Sequence, residues 1–162
     1  MFTLRCTKRL LARLGSQPLV DEVEPTTRLG DWYANLLFPP GGQVVLAVNE
    51  RSLLPVLIPA APARTLVARF APVVEEVLLR LGVPAAVAEA ERSQMGKVRI
   101  GRTVNRQVVG SMNDFSFLMD AHLQRNTSLI DVAAKLAHTP CGPIGMKYPV
   151  DVVLELFLAN GK

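Results

Sequence analysis

The sequence predicts an α+β fold: a mostly antiparallel sheet of about five strands with helices packed on one face, in a single domain over residues 1–162. Three strand-like segments lie close together in 32–58, and most of the chain after residue 62 has the spacing of helices. Neighbouring strands joined by short turns pair antiparallel, and helices that follow them pack on the sheet. No linker or internal repeat divides the 162 residues, an ordinary length for one domain.

The N-terminal residues predict a strand followed by a short helix. Phe2, Leu4 and Cys6 alternate with polar residues, which is the period of a half-buried strand. Thr7 can then cap a helix that ends at Gly15. Residues 16–28 contain prolines and acidic residues without a regular period and therefore predict a loop.

The segment 32–58 predicts three strands. Trp32 lies on one face of the first strand, and Tyr33 and Asn35 lie on the other. QVVLAV, residues 43–48, is continuously apolar and predicts a central strand covered on both faces. Pro55 cannot donate a hydrogen bond to a neighbouring strand, so the third strand should lie at an edge of the sheet or carry a bulge.

Helices interrupted by one strand are predicted for the remaining residues. Apolar residues recur every three or four positions in 66–81, where Pro72 should kink or split the helix. A second helix is predicted up to Gly96, and KVRIGRT, residues 97–103, alternates as a strand. Three more helices follow, and the last ends before Gly161, although its run VVLELFL could also form a strand.

Composition narrows the class of protein. The formal net charge is +4 and the pI is about 9.4, which is compatible with nucleic-acid binding, but only 6% of the residues are aromatic and no stretch interleaves them with basic residues. No apolar run is long enough to span a membrane or to serve as a signal peptide, so we expect a soluble, cytoplasmic protein without membrane contact. A mean hydropathy of +0.26 favours apolar surface buried between subunits, and hence a homo-oligomer.

Known catalytic motifs are not found in the sequence. Cys6 and Cys141 lie far apart, and neither His122 nor His138 has a second ligand at metal-binding spacing, so we expect no metal site. The sequence also lacks a G-x-S-x-G nucleophile motif and a glycine-rich phosphate loop. These absences leave no cofactor to predict.

NRQVVGSMNDF, residues 105–115, is the strongest candidate for a site. Asn105 or Thr103 can cap a helix whose first backbone N–H groups favour an anion. Arg99 and Arg102 precede this helix and Arg106 begins it, and guanidinium groups suit phosphate or carboxylate. The helix places Arg106, Gly110 and Asn113 on one face, opposite an apolar seam formed by Val108, Met112, Phe115 and Met119.

A purely structural interpretation of this stretch is also open. Asn105 can be only a helix cap, and Arg99 and Arg102 can be solvated strand residues. Asn113 and Asp114 can tie the helix to a loop. Gly110 is unfavourable inside a helix by about 1 kcal/mol, which would be explained by the close approach of a ligand or of another backbone.

Two further stretches carry candidate binding residues. A lone tryptophan in a strand, such as Trp32, is more often a core residue than part of a cofactor site. Tyr33 and Asn35 point to the other face and could line a groove. Lys147 and Tyr148 stand just ahead of a predicted helix and could bind a partner; the glycines and prolines around them could equally shape a connector.

Five motifs of the sequence resemble those of an uncharacterised bacterial family described only as a domain of unknown function. They are RCTKRLL, LGDWYANLL, LLPVLIPA, NRQVVGSMNDF and LAHTPCGPIGMKYP, and they span nearly the whole chain. The resemblance implies a single-domain bacterial protein and implies no activity. The matching positions include Arg5, Thr7, Trp32, Asn35, Asn105, Arg106, Gly110, Asn113 and Asp114.

The leading functional hypothesis is a non-catalytic binding module for an anionic ligand or a nucleic-acid backbone. Its predicted ligand-binding residues are Arg99, Arg102, Asn105, Arg106, Asn113, Asp114, Trp32 and Asn35. One alternative is a protein-interaction or antitoxin-like partner that uses the apolar residues 152–158. Another is a small enzyme in which Asp114 is a general base and Arg106 and Asn113 position the substrate.

Overall fold

A computed structural model describes residues 1–123 and 127–158 of the chain. Within these ranges the elements follow the predicted order, and the last segment is a helix whose predicted end at Gly161 lies outside the described residues. The elements are β1 (Phe2–Cys6), α1 (Lys8–Leu14), β2 (Trp32–Leu37), β3 (Val44–Asn49), β4 (Pro55–Pro59), α2 (Leu66–Arg80), α3 (Ala85–Gln94), β5 (Val98–Arg102), α4 (Arg106–His122), α5 (Leu129–Leu136) and α6 (Pro149–Leu158).

The five strands form one mixed sheet in the order β4-β3-β2-β1-β5. β2, β3 and β4 pair antiparallel as the predicted meander, with β4 at an edge. β1 lies between β2 and β5 and is parallel to both of them. The prediction of a mostly antiparallel sheet is therefore wrong. The alternation of apolar residues in β1 shows which face each side chain occupies, but it does not specify the strands beside it.

Helices cover both faces of the sheet, so the prediction of helices on one face is also wrong. The first core lies on the face that carries Trp32, where α1, α2, α3 and α6 pack. The second core lies on the face that carries Tyr33, where α4 packs, and α5 contributes residues to both cores. Both covers are required because all six residues of β3 are buried, and a strand apolar on both faces must be shielded on both.

The two long helices, α2 and α4, can be compared directly with the patterns that predicted them. The predicted seam of α4, which contains Val108, Met112, Phe115 and Met119, is fully buried in the second core. α2 continues from Leu66 to Arg80 with Pro72 inside it, so the proline does not split the helix into two segments. No helix within the two described ranges is both long and apolar enough to cross a membrane.

The 16–28 segment lies along the outer side of β5 and is fastened to the sheet. The backbone N–H of Leu19 donates to the carbonyl of Ile100 at 2.8 Å, which forms an isolated parallel bridge with β5. The Asp21 carboxylate pairs with Arg99 at 2.6 Å, and the Glu22 carboxylate pairs with Arg5 at 2.9 Å. The segment thus partly covers the exposed edge of the sheet.

Candidate functional site

A crevice of about 490 Å³ opens at the carboxyl ends of the parallel strands β1 and β5. The chain leaves β1 into α1 on the first core and leaves β5 towards α4 on the second core, so the two connections diverge to opposite faces. Such divergence points in open α/β sheets are the usual places for ligands. The crevice is lined by Cys6, Lys8, Leu11, Ala12, Gly15, Ser16, Gln17, Pro18, Arg102 and Thr103.

The lining of the crevice is positively charged. Lys8 and Arg102 are both exposed, and neither forms an ion pair with any residue that the structure describes. None of the ten lining residues is acidic. Ser16, Gln17 and Thr103 add neutral hydrogen-bonding groups, so the crevice has the donors that an anion requires.

Cys6 contributes to the crevice wall but is not a nucleophile. Its side chain is 1% exposed, and burial raises the pKa of the thiol to about 12. The thiolate is the reactive form of cysteine, so a thiol with this pKa stays neutral and inert near pH 7. No histidine and no carboxylate lines the crevice to act as a general base. The described lining of the crevice therefore does not combine a reactive thiol with a general base.

Hydrogen bonds fix the loops at this end of the sheet. The Thr7 hydroxyl donates to the Asn35 side-chain oxygen at 2.7 Å, which joins the end of β1 to β2. The Asn105 backbone N–H donates to the Tyr33 hydroxyl at 3.1 Å, which anchors the start of α4 to β2. Burial raises the pKa of Tyr33, so its hydroxyl remains protonated at neutral pH. Asn35 is half-buried beside the crevice, and its side-chain oxygen is engaged by Thr7.

Asn105, one of the two residues predicted to cap this helix, is the N-cap of α4. Its side-chain oxygen accepts hydrogen bonds from the backbone N–H groups of Gln107 at 2.9 Å and Val108 at 3.4 Å. Two of the first N–H groups of the helix are thereby satisfied within the chain. These two N–H groups are therefore not available to the anion that the sequence analysis predicted at the start of α4.

Arg99 and Arg102 lie on opposite faces of β5, because residues separated by an odd number alternate across a strand. The Arg99 side chain is 18% exposed and is paired with Asp21 in the 16–28 segment. Arg102 instead stands beside Cys6, its register partner in β1, on the side of the crevice. The structure brings only one of these two predicted arginines to the crevice.

Arg106 and Asn113 are exposed on α4, with Gly110 between them. Their placement agrees with the predicted face opposite the buried seam. A Cβ atom added to Gly110 would meet nothing within 4 Å, so no other described part of the chain approaches this glycine. Arg106 forms no ion pair among the described residues.

Trp32 and Asp114 lie in different environments. Trp32 is fully buried in the first core, where its ring meets Phe70 edge-to-face with 5.1 Å between centroids. Asp114 is exposed on α4 and lines a second cleft of about 330 Å³, beside the segment 139–143. The eight predicted residues thus do not form one site: only Arg102 lines the crevice, Asn35 bonds Thr7 beside it, and Arg99 pairs with the 16–28 segment. The others lie at the start and on the surface of α4, in the second cleft and in the core.

The most important crevice residue absent from the predicted set is Lys8. It follows β1 directly, and it reaches the end of β5 only because those two strands are parallel neighbours. The strand–helix–strand order of residues 2–37 could have indicated that β1 has a parallel neighbour, because parallel strands are joined by a crossover connection such as a helix. In the described part of the chain, no group of three His, Cys, Asp or Glu side chains could hold a metal ion.

Comparison with known proteins identifies a family. A family model described as "Domain of unknown function (DUF6933)" matches residues 3–152. No curated protein and no solved structure matches the chain. Because the matched region covers most of the 162 residues, the chain belongs to the DUF6933 family of domains of unknown function.

Proposed function

We propose that the protein is a non-catalytic binding module for a small anionic ligand, a phosphate or carboxylate compound, held in the crevice at the ends of β1 and β5. The observation that carries the proposal is a pair of exposed cations, Lys8 and Arg102, which form no ion pair within 1–123 and 127–158 and line a crevice without an acidic lining residue. A guanidinium group can bind phosphate or carboxylate through two parallel hydrogen bonds, and an ammonium group adds a second charge. The neighbouring acids Asp21 and Glu22 do not neutralise this pair because they are engaged by Arg99 and Arg5.

Isothermal titration calorimetry with inorganic phosphate and pyrophosphate at low salt tests the proposal. We expect Arg102→Ala and Lys8→Ala each to weaken binding by about tenfold or more, because a hydrogen bond to a charged group contributes roughly 1.5–3 kcal/mol. Arg64→Ala is the matched control, since Arg64 is exposed and lies outside the crevice lining. Equal affinity for the wild type, the two crevice variants and the control would refute the proposal.

A nucleic-acid backbone is a separate outcome of the same experiment. A fluorescent single-stranded oligonucleotide would then bind with a steep dependence on salt, because phosphate contacts release counterions. Exposed Arg106 on α4 would contribute as much as Arg102, since an extended backbone needs cations along its path. If binding is confined to small anions and Arg106→Ala is silent, the ligand is a small molecule.

The alternative functions have less support from the site. Asp114 lines the second cleft, whose lining includes neither Arg106 nor Asn113, the two residues predicted to position a substrate for it. α6 buries Val150, Val153 and Phe157 in the first core, so only part of its apolar surface is available to a partner. A homo-oligomer stays a prediction that light scattering can test, and a cytoplasmic location stays a prediction from the sequence.

A further inference from the structure

The second cleft, of about 330 Å³, has a different chemical character from the crevice and shares no residue with it. It lies between α4 and the connector 139–143, on the face of the sheet that carries the second core. Its walls are mainly apolar and aromatic. The lining residues are Ser111, Asp114, Phe115, Phe117, Leu118, Thr139, Pro140, Cys141, Gly142 and Pro143.

Ser111 contributes a hydroxyl group to the lining of this cleft. The residue is 6% exposed, and its hydroxyl forms no hydrogen bond with the residues in 1–123 and 127–158. Ser116 in the same helix behaves differently, because its hydroxyl donates to the Met112 carbonyl one turn earlier at 2.8 Å. A serine inside a helix can either make this backbone bond or point its hydroxyl group away from the helix. The Ser111 hydroxyl is therefore free to bond a molecule in the cleft.

Asp114 supplies the charge of the cleft. Its carboxylate is exposed, one turn of α4 beyond Ser111, and it forms no ion pair among the described residues. Burial, together with the smaller effect of the negative charge of Asp114, raises the pKa of the neighbouring Cys141 thiol to about 11. Cys141 donates its thiol hydrogen to the Thr139 carbonyl at 3.3 Å. Among the described residues that line the cleft, Asp114 is the charged one, so their charge is negative.

Phe117 completes the site. Its ring is 81% exposed although phenylalanine is normally buried, and it stands on the wall of the cleft next to Leu118. An aromatic face attracts a cation electrostatically, and the attraction adds to that of a nearby carboxylate. A carboxylate, a hydroxyl and an exposed aromatic ring on an apolar wall are complementary to an ammonium group attached to an apolar body.

We propose that this cleft binds a small organic amine. The ammonium group donates hydrogen bonds to the Asp114 carboxylate and the Ser111 hydroxyl oxygen, and the apolar body packs against Phe117, Leu118 and Pro140. The site is independent of the anion crevice, because it carries the opposite charge and no common side chain.

The probe is 2-phenylethylamine, compared with the neutral 2-phenylethanol and the anionic 3-phenylpropionate at pH 7. Backbone amide shifts followed during titration should map amine binding to Ser111, Asp114 and Cys141, with weaker binding of the alcohol and none of the acid. Asp114→Asn should weaken amine binding by about tenfold, and Ser111→Ala by about threefold, because a charged hydrogen bond is the stronger of the two. Neither change should alter binding of inorganic phosphate in the crevice.

Asp120→Asn is the matched control, since Asp120 is an exposed carboxylate of the same helix that does not line the cleft. Thermal denaturation of each variant establishes that it is folded. The proposal is overturned if millimolar amine does not bind, if the three probes bind equally, or if Asp114→Asn and Asp120→Asn have the same effect. Shift changes that map away from the cleft would also overturn it.

Discussion

Replacing Gly110 with alanine should stabilise the protein. Gly110 is half-buried in the interior of the 17-residue helix α4, and an added Cβ atom would meet nothing within 4 Å. Alanine is more favourable than glycine inside a helix by about 0.8–1 kcal/mol, and no clash offsets that gain here. For a protein of this size the change corresponds to a rise in Tm of roughly 2–4 °C. Differential scanning calorimetry and urea denaturation of Gly110→Ala measure it.

Gly101→Ala is the contrasting variant. A Cβ atom at Gly101 would lie 2.9 Å from the buried Thr3 methyl group, so overpacking should cost about 1–3 kcal/mol. If Gly110→Ala were as destabilising as Gly101→Ala, the open surface described at Gly110 would be wrong. A more stable Gly110→Ala variant that loses anion binding would instead show that a ligand approaches this glycine closely.

Three further predictions test the hydrogen-bonded core, the helix cap and the cysteines. The Glu91 carboxylate is 4% exposed and accepts two backbone N–H groups at 2.8 and 2.9 Å, so Glu91→Ala should cost roughly 3 kcal/mol or more in urea denaturation. The hydrogen bond from Ser128 and the charge of Arg80 hold the pKa of Asp131 below its usual 3.8. The stability contributed by this carboxylate is present above pH 3.8 and is lost as the pH falls through the lowered value, and an NMR titration of Ser128→Ala should show the pKa rising. Cys6 should resist a thiol reagent at pH 8 until the protein unfolds, because burial both shields it and raises its pKa to about 12.

Local patterns predicted the elements well because each pattern has a local physical cause. The seam of α4 is buried as its spacing requires, and the side chain of Asn105 caps that helix. The pairing of β1 with β2 and β5 was not predictable in this way. Those contacts join residues such as Cys6 and Arg102, which are distant in the sequence, and a short alternating strand carries no information about its direction relative to them.

The candidate site was predictable only in part for the same reason. Arg102 could be identified as a basic residue at a strand end, and the alternation of β5 already separated it from Arg99. The acids that neutralise Arg99 and Arg5 lie in the 16–28 segment, whose sequence has no period to show where it packs. The apolar second cleft depends on the position of the connector 139–143 against α4, which no local pattern specifies.

The two edges of the sheet have a consequence for self-association. An unpaired edge strand is a template for another chain, and proteins commonly block such edges. Here β4 begins and ends with a proline, each of which lacks a backbone N–H donor, and Leu19 occupies a hydrogen-bonding position on β5. Growth of the sheet from molecule to molecule is therefore obstructed at both ends. If this protein forms a homo-oligomer, we expect its copies to contact each other through side chains outside the sheet edges. Proteolytic cleavage of the 16–28 segment should expose the edge of β5 and promote aggregation.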